Sequence, residues 1–380
     1  MTIPRPRRIL PFALLAAAGL FFWLERPALQ SSKFPPPQDF DILASAVRHI
    51  RSDYVDEADP KRTMEGAFQG LMGSLDAMSS YLDASLMAKA ASPRKDKLFD
   101  IGLAVYKRPG VFPIVVGVGE GSPAEKAGIK VGDAVSAVDD RSTLSWSYNE
   151  LRFVLKDADR KPVKIRLIHE NSTSEKTLDR APVYPAAIAW TAEKGTSGVV
   201  RVHHLFPGAA AEFKTAVLPR LSGKKEPLIL DLRGCREGEI EEARVFINLF
   251  LKNDRAGTFE KKGGQKDVFA CSADPVVAPD LPLIVWVSPA TMGPSEIAAG
   301  VLRDLQRAKI VGTATTGLTA EQKLFPLETG DGLLLTTGVF VLPSGVKIFS
   351  KGLTADAKID LDKQTRAAYL EKTIGLIAGR

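Results

Sequence analysis

The segment from Leu283 to Gln322 constrains this chain more than any other. It opens with Leu283-Ile284-Val285-Trp286-Val287, an apolar run of the length of one buried strand. A loop of small residues and proline, Ser288 to Pro294, follows. Beyond it Ile297, Val301, Leu302 and Leu305 recur at i, i+4, i+5 and i+8, the spacing of one helix face. Ser295 is expected to cap that helix, with Pro294 and Glu296 suited to its start. Such a strand, tight loop and helix aims backbone N–H groups and a positive helix end at whatever enters the loop. Acyl-transfer enzymes hold a nucleophile against an oxyanion hole in this way.

The surrounding residues repeat the alternation. Gly198 to Val202 and Pro227 to Arg233 read as strands, Ala209 to Leu218 as a helix between them, and Leu334 to Val341 as a later strand. Residues 184–380 are therefore expected to form an α/β core around an internal sheet. Upstream, residues 96–183 read as a separate β-rich unit. Asp100 to Val105 alternates like a strand, Val111 to Val118 and Val131 to Val138 are β-rich, and Gly121 to Ile129 is a short capped helix ended by glycine. A helix near Asn149 to Leu155 and strands at 163–169 and 175–178 complete it. Residues 31–95 hold a proline linker, Ser31 to Gln38, and two or three small helices, the first with Leu43, Val47 and Ile50 on one face. The fold class is thus α/β in the core within a multi-domain α+β chain.

The central segment reads Ala290-Thr291-Met292-Gly293-Pro294-Ser295-Glu296-Ile297, then Asp304, Gln306-Arg307-Ala308 and Ile310-Val311-Gly312, then Thr315-Thr316-Gly317-Leu318-Thr319-Ala320-Glu321-Gln322. It resembles, without a gap, the active-site region of the C-terminal processing (tail-specific) peptidases, peptidase family S41, which use a Ser–Lys dyad. That family has small-Ser-Ala-Ser-Ala-Ser-Glu-Ile, a helix, Ile-Val-Gly and Thr-Phe-Gly-Lys-Gly-x-x-Gln. In this register the nucleophile falls on Gly293 and the lysine base on Leu318, and only the helper glutamine, Gln322, is retained. Leu228-Ile229-Leu230-Asp231-Leu232-Arg233 matches the family strand that leads to a paired glycine of the oxyanion hole. Here Glu237 replaces the first glycine, before Gly238. The resemblance runs from about Phe40 to Ile359 and takes in Tyr54-Val55-Asp56 and the Leu75-to-Tyr81 stretch, with Ala77 where the family has proline.

Ser122 to Asp133, with Ser-Pro-Ala, Ala-Gly-Ile and Gly-Asp in order, resembles a PDZ domain of the circularly permuted kind found in these peptidases. The resemblance implies that an added peptide strand has its C-terminal carboxylate held by Ile101, Gly102 and Leu103. Asp100 stands where the family has glycine, and its carboxylate repels another. The alternative is a domain that only packs against its neighbours.

Without an oxygen at Gly293 or a base at Leu318 the dyad has no chemistry. The resemblance therefore implies a non-catalytic protein that binds peptides, protein C-termini or an active peptidase relative. The alternative is a serine-type endopeptidase with a relocated nucleophile, Ser295 or Thr291, and Lys323 as base. In an extended segment Lys323 points away from Gln322 and from position 318.

Composition narrows the partners. Of the formal charge of +6, Arg5, Arg7 and Arg8 supply three, and no basic stripe with interleaved aromatics follows, so nucleic acid is not expected. These arginines precede an apolar run, Ile9 to Leu24, expected as an uncleaved inner-membrane signal-anchor, or else as a cleaved signal that leaves a soluble periplasmic protein. Either way the rest is expected in the periplasm or its extracytoplasmic equivalent. No cofactor is expected. His203 and His204 have no cysteine or carboxylate at metal-ligand spacing. Asp231 and Arg233 read as a structural ion pair, and Cys235 and Cys271 are left open as a disulfide or two free thiols.

Overall fold

The computed structural model describes residues 38–91, 99–156, 160–182 and 186–379. The expected signal-anchor and the Ser92-to-Lys97 break lie outside them. Among the described residues no helix is long and apolar enough to cross a membrane. The chain divides into one unit up to Thr63 and a second from Met64 onward. The first carries α1 (Gln38–Asp53). The expected apolar face of α1 forms, but Leu43 and Ile50 on it stay exposed. Helix α2 (Pro60–Gly73) leads into the second unit.

In the second unit, β1 (Ser80–Leu82) and α3 (Ala84–Ala91) come first. The β-rich segment then begins with β2 (Phe99–Asp100) and β3 (Leu103–Tyr106), not with the single strand expected over Asp100 to Val105. The break falls at Gly102, whose φ of 87° lies in the left-handed region. A Cβ there would meet the Ser122 side chain at 2.2 Å, so the turn needs glycine twice over. There follow β4 (Ile114–Val118), α4 (Pro123–Lys126), β5 (Ala134–Val138), β6 (Arg141–Ser142), α5 (Tyr148–Leu155), β7 (Val163–His169), β8 (Ser172–Leu178) and β9 (Ala181–Pro182). The sheet order is β3-β4-β5-β7-β8, with β6 on β5, and β9 returns to pair with β2. Ile101, Val115, Leu151, Val163 and Ile165 fill its core with no exposed surface. The short helix α4 is capped by the Ser122 hydroxyl, which accepts from the Glu125 N–H.

The core comprises β10 (Ile188–Thr191), β11 (Gly198–Val202), α6 (Ala209–Ala216), β12 (Leu228–Asp231), α7 (Ile240–Ile247), β13 (Thr258–Lys261), β14 (Lys266–Val268), β15 (Leu283–Val287), α8 (Pro294–Asp304), β16 (Lys309–Gly312), β17 (Ala320–Pro326), β18 (Gly332–Val341), β19 (Ala357–Lys358) and α9 (Arg366–Ala378). The main sheet runs β10-β11-β12-β15-β16-β19, parallel from β11 onward with β10 antiparallel at its edge. Its central strands are covered on both faces, which is why β12 and β15 are apolar without alternation. One face packs on α6, α7 and α8 through Phe213, Phe246, Ile297 and Val301; the other packs on α9 through Trp286 and Tyr369. A second, antiparallel sheet surrounds β18, which pairs with β13 and β17 and also with β1 from the helical segment. The loops after β12 and β15 leave the C-terminal ends of adjacent parallel strands, where open α/β sheets place their sites.

Candidate functional site

The loop after β15 is pinned from inside by Thr291, whose fully buried hydroxyl donates to Leu232 O at 2.9 Å and accepts from the Ser288 N–H at 3.0 Å. It ends at Gly293, the N-cap of α8, with φ 60° and ψ −120°. The expected cap, Ser295, is instead in the first turn of the helix. Its buried hydroxyl lies 2.5 Å from Cys235 O and 2.9 Å from Met292 O, two acceptors for its single proton. A side chain cannot cap the helix from position 295, because the chain has already entered α8 one residue earlier at Pro294.

Glu296 supplies what the cap lacks. Its carboxylate has no exposed surface and accepts the N–H of Gly293 at 3.0 Å, of Gly317 at 2.6 Å and of Leu318 at 2.8 Å. Burial pushes its carboxyl up to about 7, against the donors that favour the charged form. One side chain thus holds together the two backbone positions at which the resemblance puts nucleophile and base. They are close: a Cβ built on Gly293 would stand 3.5 Å from Leu318 O, ordinary van der Waals contact.

The side chains that meet there are apolar. Leu318 is 4% exposed and packs with Ala290, Met292, Met78, Ala104 and Tyr148. Ala104 and Tyr148 come from the β-rich segment, which approaches so closely that a Cβ on Gly117 would meet the Ala290 Cβ at 2.6 Å. The Tyr148 hydroxyl donates to the Met292 sulfur at 3.6 Å, and its own pKa is raised to about 12 by burial. Gln322 is near this cluster but turned to another task, donating to Met78 O at 2.7 Å. Lys323 is on the exposed side of β17, with its ammonium 5.4 Å from the centre of the Phe325 ring. Ser295 and Thr291 are therefore committed to backbone carbonyls, and Lys323 faces solvent.

The loop after β12 carries the second set of expected residues. Asp231 and Arg233 form the structural pair, bidentate at 2.8 and 2.7 Å, with the guanidinium stacked over Trp286 and Tyr369. Cys235 and Cys271 are two free, buried thiols, each with its pKa raised by burial. His203 has its pKa lowered by burial, as has His204, whose ring lies 5.1 Å from that of Phe206. Glu237 does not face Gly293 as a lone carboxylate. It forms an ion pair with Lys156 and lies 3.4 Å from the Arg152 guanidinium, both at the end of α5. Burial opposes its ionisation, but the charges of Lys156, Arg152 and Arg236 outweigh it and hold the carboxyl down at about 2.

The three residues expected to hold a peptide carboxylate sit at the β2–β3 break, and that loop is already occupied. Asp100 Oδ1 accepts the N–H of Ile101 at 2.6 Å and of Gly102 at 3.1 Å, and its Oδ2 pairs with Arg236 of the core. Leu103 continues into β3 and pairs with Val118. The sequence gives a reason to suspect Asp100, but Arg236, Lys156 and Arg152 lie too far along the chain for any local pattern to connect them with it or with Glu237.

Comparisons with known proteins agree with this architecture. Residues 196–359 match peptidase family S41, and residues 114–168 match a PDZ domain. The carboxy-terminal processing protease CtpA of Bacillus subtilis is 27% identical over 369 residues, covering 96% of this chain and 78% of the relative. The carboxy-terminal-processing protease of Bartonella bacilliformis is 27% identical over 336 residues, covering 86% and 76%. Among solved structures, the photosystem II D1 C-terminal processing protease superposes with a TM-score of 0.66 at 22% identity, over 84% of this chain and 93% of that one. The fold, the order of the motifs and these relatives converge: residues 196–359 match peptidase family S41 and are preceded by a PDZ domain, the arrangement to which this chain is similar throughout.

Proposed function

We propose that this chain is a non-catalytic member of its family, one that binds peptides, protein C-termini or partner proteins outside the cytoplasm and is held at the inner membrane by its N-terminal segment. An active peptidase relative is one such partner. One observation carries the reading. Where a nucleophile and its base would face each other, a glycine faces a buried leucine inside an apolar cluster. A serine needs a neighbouring base to attack a carbonyl, and neither group is supplied at these positions. The chemistry implied by the names of the relatives, processing at carboxy termini, then leaves recognition of such ends as the retained half of the task.

The test is turnover of an unstructured protein substrate by the full chain, with the Ser295→Ala/Thr291→Ala variant as control. No cleavage above background is expected from either. Cleavage by the parent that is lost in the variant would establish a relocated nucleophile and end the proposal. Gly293→Ser/Leu318→Lys provides the complementary arm. A Cβ at 293 would stand 3.5 Å from Leu318 O, but the φ of 60° strains any side chain placed there, and restored turnover in spite of that strain would identify these two substitutions as what removed the activity.

A further inference from the structure

A cavity of about 750 Å³ opens between α2 and loops of the PDZ domain, a size within the range of small-molecule sites. It is not the groove between β3 and α5. No residue of β3 lines it, and α5 contributes only its first residue, Tyr148, whose hydroxyl is turned to Met292. One wall is bare helix. Gly66, Gly70 and Gly73 recur at i, i+4 and i+7, so they share the face of α2 that borders the cavity and expose about 10 Å of backbone along it. A Cβ built on Gly66 or Gly70 would meet nothing within 4 Å. Glycine inside a helix costs stability relative to alanine, and neither close packing nor a left-handed φ requires it at these two positions.

A second wall holds a buried charge. Lys107, the residue after β3, is 3% exposed. Its ammonium donates to Val111 O and, at 2.8 Å, to Leu144 O, which places it against a loop that lines the cavity. Those two carbonyls are neutral, and no described carboxylate forms an ion pair with Lys107. Glu150, whose charge acts on it, has one oxygen on the Ser147 N–H and the other on the Gln69 amide. Asp76, also in the lining, is committed to Met78, Ser79 and Thr336. A buried cation without an anion in contact is unfavourable. Trp146 adds an aromatic surface, 5% exposed, with the Arg141 guanidinium 5.1 Å from the centre of its ring.

We propose that this cavity binds an aliphatic monocarboxylate, its chain laid along the glycine face of α2 beside Trp146 and its carboxylate brought to the Lys107 ammonium. The long, mainly apolar wall selects the chain, and the uncancelled charge selects an anion. A single cation matches a single carboxylate. A phosphate monoester carries about −1.5 to −2 at pH 7, and its surplus charge would be repelled by Glu150 and Asp76. The walls are fixed to each other before a ligand enters, because Gln69 of α2 donates to Glu150 of α5 at 2.7 Å.

The experiment titrates the full chain with ω-bromodecanoate, whose bromine quenches a nearby indole, and with ω-bromodecanol as the uncharged control. The acid is expected to quench tryptophan fluorescence saturably and to bind at least tenfold tighter than the alcohol, and Trp146→Phe to remove most of the quenching. Lys107→Met is expected to weaken the acid at least tenfold and to leave the alcohol unchanged. Gly66→Leu/Gly70→Leu fills the cavity from α2 at positions where a Cβ has no neighbour. It is expected to unfold at a temperature no lower than the parent and to lose both ligands. No saturable quenching, equal affinity for acid and alcohol, quenching that persists in Trp146→Phe, or binding that persists in Gly66→Leu/Gly70→Leu would each overturn the proposal. Should Lys107→Met fail to fold, the glycine variant and the comparison of acid with alcohol in the parent decide.

Discussion

Glu296 is the residue on which the geometry at Gly293 and Leu318 depends. It brings a carboxylate into a fully buried place because three backbone N–H groups from two separate loops point there. The cost shows in its titration. With a carboxyl raised from 4.5 in the unfolded chain to about 7, the native state keeps a proton that the unfolded state has released. Stability is then full below about pH 4.5 and falls as pH rises through about 7, by on the order of 3 kcal/mol. Denaturant titrations between pH 4.5 and 8 are expected to show this slope, and Glu296→Gln to flatten it. The same variant loses an acceptor for one of the three N–H groups and is expected to cost about 1–3 kcal/mol at low pH. Glu237 behaves oppositely. Its depressed carboxyl contributes stability that is present above about pH 4.5 and lost as pH falls towards about 2, so its ion pairs are intact at neutral pH.

At the scale of elements, α5 does two jobs, since it closes the PDZ core through Leu151 and Leu155 and presents Tyr148, Arg152 and Lys156 to its neighbours. Its start is fixed by a capping box. The Ser147 hydroxyl accepts from the Glu150 N–H at 3.1 Å, and Glu150 accepts from the Ser147 N–H at 2.7 Å. Glu150 also receives the Gln69 amide at 2.7 Å, which ties the helix to α2. Ser147→Ala is expected to destabilise the chain by about 1 kcal/mol, measured by urea unfolding. Most elements were legible in the sequence: β11, β15 and the period of α8 follow directly from apolar runs and spacing. Two local expectations failed for physical reasons. Asp100 to Val105 alternates like one strand, but the Asp100 side chain captures the next two amides and a left-handed glycine turns the chain. Ser295 has the chemistry of a cap, but Pro294 and the Glu296 carboxylate set the helix start at Gly293.

Across the whole molecule, the PDZ domain and the core meet through an apolar cluster at Ala290, Met292 and Leu318 and through buried charges at Asp100–Arg236 and Lys156–Glu237. Breaking such a pair strands a charge, whereas replacing both members with apolar groups does not. Lys156→Met alone is therefore expected to cost about 3 kcal/mol or more. Lys156→Met/Glu237→Leu is expected to recover most of it, with guanidinium denaturation as the measure. Recovery of less than half would mean that the pair contributes more than its own neutralisation, through Arg152 and Arg236 around it.

The sequence alone determined the α/β core, the β-rich domain before it, the family resemblance and the register that sets Gly293 and Leu318 against its dyad motif. These depend on residue identity and on periodicity within a few turns or strands, which a linear reading contains. Tertiary structure alone decided where the charges went. Asp100 occupies the amides expected to hold a peptide end, and Glu237 turns from the core into the PDZ cleft, because their cationic partners lie in another domain. Ion pairing of buried groups is settled by which surfaces fold against each other, and no spacing along the chain carries that information.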